Sequence, residues 1–173
     1  MGRIEYEAMP IRAFPEHTVR IPGGAVTFGV EYRRLDEATI LAEMGPDARA
    51  RFGGVVPAGM GAVIEEDGVA LHVFDAATGD ELLRFDCFDD AAHWHLLAPG
   101  GGRNVVIEHD PAEGPLLPWA VSALRCRLRD LLAEAGAPAV AAALGDDEVR
   151  AGLDVVAQVA RYVEAAGRPV SVG

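Results

Sequence analysis

Lysine is absent from the chain: all 15 basic side chains are arginine. That excludes a Schiff-base lysine and the lysine of a phosphate-binding P-loop. Cysteine is scarce as well. Cys87 and Cys126 stand too far apart for a C-x-x-C redox motif or a paired-cysteine metal knuckle, and their apolar neighbours predict buried structural thiols. No apolar run is long enough to cross a bilayer, and the first residues do not read as a signal peptide. Gly2 invites a myristoylation reading, but position 6 is tyrosine, so the motif fails. Positive charge is outnumbered by 27 acids, for a net charge of −12. Nucleic acid and anionic membranes both need clustered positive charge, so neither is expected as a partner. These absences predict a cytoplasmic protein. Also missing are G-x-S-x-G, a glycine-rich phosphate fingerprint and H-E-x-x-H. Pro99 to Gly102 lies between two predicted strands and reads as a hairpin turn, not a phosphate cradle.

What is present fits one globular domain over residues 1–173, since 50% of residues are apolar and 24% charged. Residues 18–110 read as mainly β and 116–166 as mainly α. Residues 18–33 form a predicted hairpin turning at Pro22-Gly23-Gly24. Asp36 is placed to cap a short helix over 37–44, followed by a Gly/Pro-rich loop over 46–61. A meander follows: AVIEE, a turn at Asp67-Gly68, VALHVF, a turn at 77–80, ELLRFDCF, a turn at 89–92, HWHLL, and NVVIEH after Gly102. Helices are predicted from Pro118 to Gly136, over 138–144, and from Asp146 to Gly167. Their one-sided apolar stripes need a partner surface, and the meander is the large one available. The fold class is α+β: an antiparallel meander or partial barrel with C-terminal helices on one face.

Side-chain alternation then sorts the meander into two faces. Closing 89–92 with Phe88 opposite His93 pairs Asp86 with His95. Closing 98–103 with Leu97 opposite Asn104 pairs His93 with Glu108. Phe85, Cys87, Trp94, Leu96, Val105 and Ile107 fall on the helix side. Arg84, Asp86, Phe88, His93, His95, Leu97, Val106 and Glu108 fall on the other.

That second face carries the chemistry. Two imidazoles at i and i+2 beside carboxylates can hold a divalent first-row metal, with His93, His95 and Glu108 as ligands. Without metal, His93, His95, Asp86 and Glu108 form an acid–base group. Arg84 is placed to hold an anionic substrate group, with Phe88 and Trp94 lining or supporting the wall. The plain alternative is the wet side of a one-sided sheet, although interleaved apolar residues suit a cleft better. His72 joins this face if the 75–80 turn holds an odd number of residues. His109 stays on the core face unless a bulge intervenes, and His17 is expected to be exposed. Acids between Glu65 and Asp90 fall mostly in turns, where carboxylates accept local backbone hydrogen bonds. Arg125, Arg127 and Arg129 are expected to pair with Asp130 and Glu134.

The run FDCFDDAAHWHL, the Pro118-Trp119 helix start and RCRLRDLLAEAGAP resemble an uncharacterised family of small bacterial proteins. That family has an FDCF strand, an H-aromatic-H strand and a Trp-led helix ending in Ala-Gly-Ala. The resemblance covers about residues 82–137 and carries no activity with it. The lack of lysine beside abundant Ala, Gly, Arg and Val is similar to proteins of high-GC bacteria. Two function classes remain. One is a small enzyme or ligand-binding protein acting on a small molecule through the His/carboxylate face. The other is a noncatalytic accessory protein, using its acidic surface on a protein partner or pairing as a homodimer across the same face.

Overall fold

Apolar residues alternating with period two build seven strands, and a computed structural model of the chain describes them through residues 5–7, 11–35 and 66–170. The strands are β1 (Glu5–Glu7), β2 (Thr18–Gly23), β3 (Val26–Leu35), β4 (Glu66–Asp75), β5 (Glu81–Phe88), β6 (His93–Leu97) and β7 (Asn104–Glu108). They form one open antiparallel sheet in the order β1-β7-β6-β5-β4-β3-β2. Helices follow as α1 (Leu116–Glu134), α2 (Pro138–Ala143) and α3 (Asp146–Ala166). α1 covers β5 and β6, and α3 covers β2 and β3, so the helices occupy one face. The α+β reading holds.

The core lies between that face and the helices. Phe28, Leu71, Phe85 and Ile107 from the sheet are buried with Leu124, Leu128, Leu153 and Val156 from the helices. Burying each such side chain stabilises the fold by about 1.5–3 kcal/mol. Gly152 lets α3 approach closely: a Cβ there would sit 2.7 Å from the Pro22 carbonyl and 3.0 Å from the Phe28 ring. Trp94 lies on this side, with ring centroids 5.8 Å from Phe85 and 5.9 Å from Trp119. His109 joins it, its ring 5.2 Å from Trp119 and its Nε2 donating to the Gly114 carbonyl at 2.7 Å.

Several local expectations change. The first hairpin turns at Gly24-Ala25, and Pro22 sits within β2, an edge strand where a missing N–H costs no ladder bond. Asp67-Gly68 is no turn: β4 runs straight through it, pairing Gly68 with both Arg33 and Phe88. Gly68 has φ +153°, and a Cβ would stand 2.9 Å from the Cys87 carbonyl oxygen, so glycine is needed here for strand contact. The AVIEE strand before Glu66, the helix over 37–44 and the loop over 46–61 lie outside the described residues. Cys87 is largely buried, but Cys126 is exposed on α1. Arg125 and Arg129 pair with Asp154 and Asp146 on and at the start of α3, not with neighbours on their own helix. Arg129 also donates to the Ala141 and Leu144 carbonyls, closing the end of α2.

The connection from β1 to β2 joins opposite edges of the sheet. Its described part lies on the face away from the helices: Arg33 donates to the carbonyls of Ile11 and Arg12, and the Phe14 N–H points at Glu31 Oε2, 3.4 Å away. A sheet face expected to be open is thereby covered, and charged side chains beneath it become interior.

Candidate metal centre

The β6–β7 register matches expectation, with His93 opposite Glu108, His95 opposite Val106 and Leu97 opposite Asn104. The β5–β6 register is displaced by two residues: Asp86 faces His93 and Arg84 faces His95. A slip of two preserves the faces while changing the partners. Its local cause is the connection, where Ala91 adopts φ +57°, the one positive-φ non-glycine among the described residues. That conformation aims the Ala91 carbonyl back at the strand, where it accepts a hydrogen bond from His93 Nδ1 at 2.7 Å. Left-handed backbone costs an alanine about 1–2 kcal/mol. Ala91→Gly, which keeps this carbonyl, is therefore expected to raise stability in urea denaturation by roughly 0.5–1 kcal/mol, glycine's chain entropy offsetting part of the relief.

Asp86, His93 and His95 converge. One ligand atom from each lies within 4.8 Å of the others. Asp86 Oδ2 is 3.4 Å from His93 Nε2 and 3.1 Å from His95 Nε2. His95 Nδ1 lies 2.8 Å from Asn104 Oδ1, with the amide placed to present its oxygen. Each imidazole thus gives Nδ1–H to an oxygen and turns Nε2 toward the same carboxylate. A neutral imidazole with a protonated Nδ1 has only a lone pair on Nε2, and lone pairs facing a carboxylate repel it. Something positive must bridge them, either a proton or a metal ion.

The electrostatics agree. Burial opposes ionisation of Asp86, but hydrogen bonds from His93 and His95, with the Arg33 and Arg84 charges, hold its carboxyl well below the usual range. Asp86 is therefore an anion inside the protein, facing two nitrogen donors.

Other expected participants are placed elsewhere. Glu108 is exposed at the end of β7 and is not part of the converging group. Arg84 is buried, and its guanidinium is committed to Glu81, with Nε to Oε1 at 2.7 Å and Nη2 to Oε2 at 2.5 Å. Phe88 packs its ring edge-on to His93, with centroids 6.1 Å apart, whereas Trp94 supports the strand from the core side. His17 is half-buried.

His72 does reach this face. The 76–80 connection holds an odd number of residues, and a bulge after Val73 skips Leu82. His72 Nδ1 lies 2.6 Å from Glu81 Oε1, and its Nε2 lies 3.1 Å from Glu31 Oε2. Burial disfavours the imidazolium, yet the close carboxylates of Glu31 and Glu81 win and its pKa is raised. Both nitrogens facing ionised acceptors require a doubly protonated ring. Glu81, at the start of β5 and counted among the acids between Glu65 and Asp90, is drawn into the interior by His72 and Arg84. Asp75 does behave as a turn residue, accepting from the Ala77 backbone N–H, whereas Asp80 reaches across to the Gly100 N–H in the β6–β7 connection.

Glu31 and Arg33 were not singled out from the sequence. Their side chains are 0% exposed and 3.5 Å apart, and Arg33 Nε lies 3.7 Å from Asp86 Oδ1. The available signal was Glu31-x-Arg33 within an apolar strand, alternating onto the same face as Arg84-x-Asp86. Ala70 is the cross-strand neighbour of both Glu31 and Asp86, and its small side chain leaves room for the guanidinium between them.

A family model described as Domain of unknown function (DUF7700) matches residues 20–160. No curated protein and no solved structure matches the chain.

Proposed function

The chain belongs to the DUF7700 family, and from its buried polar face we propose that it binds a divalent first-row metal ion through Asp86, His93 and His95 and uses it on a small molecule. One observation carries this reading: both histidines direct Nε2 at Asp86 Oδ2 while an oxygen acceptor fixes each Nδ1–H. That is the outer-shell arrangement of metal-bound histidine, in which the second nitrogen sets tautomer and ring orientation. Ligand atoms about 2.1 Å from a metal stand roughly 3.0 Å apart at right angles and roughly 3.4 Å apart at the tetrahedral angle. Two of the three separations, 3.1 and 3.4 Å, fall in that interval, and all three ligand atoms lie within 4.8 Å of one another.

Two histidines and one carboxylate are a facial donor set for iron, manganese, cobalt or zinc, and three protein ligands leave positions for water and substrate. A metal there would polarise a bound oxygen or lower the pKa of bound water. His93 is the most exposed member, with 17% of its side chain accessible. Glu108, exposed opposite it across the β6–β7 pair, would then meet a ligand of the metal.

The test uses cobalt. Protein stripped by a chelator is expected to take up one equivalent of Co2+ with visible absorption bands, and His95→Ala to lose at least about 100-fold in affinity. Absence of uptake by the wild-type protein, or equal uptake by His95→Ala, rejects this centre.

A further inference from the structure

Among the described residues, four buried side-chain atoms lack an aligned hydrogen-bond partner: Glu31 Oε1, Arg33 Nε, His72 Nε2 and Asp86 Oδ1. All four belong to side chains on the polar face. Glu31, Ala70 and Asp86 share one row across β3, β4 and β5, Arg33 spans that row, and His72 stands one row away. The Arg33 Nε to Asp86 Oδ1 separation of 3.7 Å is too long for a direct bond. His72 Nε2 touches Glu31 Oε2 at 3.1 Å without an aligned bond. Arg33 Nε and imidazolium Nε2 are donors, and the two carboxylate oxygens are acceptors. Two donors and two acceptors match the hydrogen-bonding capacity of one water molecule.

We infer that a buried water site in front of Ala70 joins Glu31, Arg33, His72 and Asp86, and that it fixes Asp86 with Oδ2 alone turned to the metal ligands. The water accepts from Arg33 and His72 and donates to Glu31 Oε1 and Asp86 Oδ1. Polar groups separated by more than a direct bond length are commonly bridged this way. The site makes His72 and Arg33 positioning residues for the centre, acting through Asp86. The water itself is independent of the metal; its positioning role rests on the metal reading above.

A crystal structure of the wild-type protein resolving ordered solvent tests the site directly. One water within hydrogen-bond distance of at least three of the four atoms is expected. Direct pairing of Arg33 Nε with Asp86 Oδ1, with no solvent between the strands, overturns it. Ala70→Val and Ala70→Ser then read the role, with Co2+ as the probe. The valine methyls displace the water, whereas a serine hydroxyl can replace some of its bonds. Ala70→Val is expected to bind Co2+ about tenfold more weakly with a changed visible spectrum, and Ala70→Ser to stay within about twofold of wild type. Unchanged affinity and spectrum in Ala70→Val refute the positioning role. If the valine variant does not fold, a serine hydroxyl bonded to one of the four atoms supports the site, and one turned away counts against it. Wild-type protein that takes up no Co2+ removes the metal reading and the positioning role that rests on it, and leaves the water site standing, because the water is seen with or without metal.

Discussion

Arg33→Met is expected to destabilise the metal-free protein by about 3–5 kcal/mol in urea denaturation, the cost of breaking a buried ion pair from one side. The guanidinium is fully buried between Glu31 and Asp86, and its two terminal nitrogens donate to the Arg12 and Ile11 carbonyls at 3.3 and 3.2 Å. The Phe14 ring lies 5.3 Å from it. Methionine restores much of the stem's volume but none of the donors, so two carboxylates lose the positive charge between them and two carbonyls lose their donor. An exposed comparison is Arg125 with Asp154, where the side chains are 38% and 58% accessible. Arg125→Met is expected to cost under about 1 kcal/mol, since water screens that pair. Adding Glu31→Gln to Arg33→Met should recover part of the loss by removing one stranded charge, a non-additivity that a double-mutant cycle reads directly. A loss below about 1 kcal/mol for Arg33→Met would show that water reaches the cluster.

That cluster marks where sequence reading stopped. Alternation along β5, β6 and β7 is enough to place His93, His95 and Asp86 on one face, because parity survives a register slip of two. It is not enough to choose partners. Asp86 faces His93 instead of His95 because the connection adopts a left-handed Ala91, a backbone state that alanine does not advertise. Glu108 has the register it was assigned, but the end of a strand is open to water, and its carboxylate is exposed while Asp86 supplies the buried one. Arg84 looked available because its buried partner, Glu81, sits in a run of turn acids and reads as one of them. Glu31 and Arg33 are harder still. In a sheet covered by helices on one side, charges on the other side read as solvent-facing. They are buried beneath the crossing from β1 to β2, whose path no local pattern fixes. The helices were legible for the opposite reason: their apolar stripes and glycine stops are local, although α1 starts at Leu116, two residues before Pro118, and Gly145, not Asp146, stands at the N-cap of α3.

The same burial gives the stability a pH dependence with two different signs. His72 is the alkaline arm. Its folded pKa is raised above the ordinary 6.5, despite burial, by Glu31 from β3 and Glu81 from β5, with Arg84 opposing. Arg20 from β2 adds a positive charge nearby, its guanidinium 3.6 Å over the Phe74 ring that stacks on His72. The stability that His72 contributes is complete below pH 6.5 and is lost as pH rises through the folded value. In that window the native state holds one proton more than the unfolded chain, so stability should fall by up to about 1.4 kcal/mol per pH unit. The acid arm belongs to Asp86 and Glu81, both depressed in the fold. Their contribution is present above ordinary carboxylate values and disappears as pH falls through the native ones. Urea midpoints of chelator-treated protein between pH 5 and 9 should therefore decline on the alkaline side. His72→Gln should be less stable than wild type at pH 6, and the gap should narrow steadily toward pH 9. A wild-type midpoint that stays flat from pH 6.5 to 9 would mean that the imidazole is neutral in the fold.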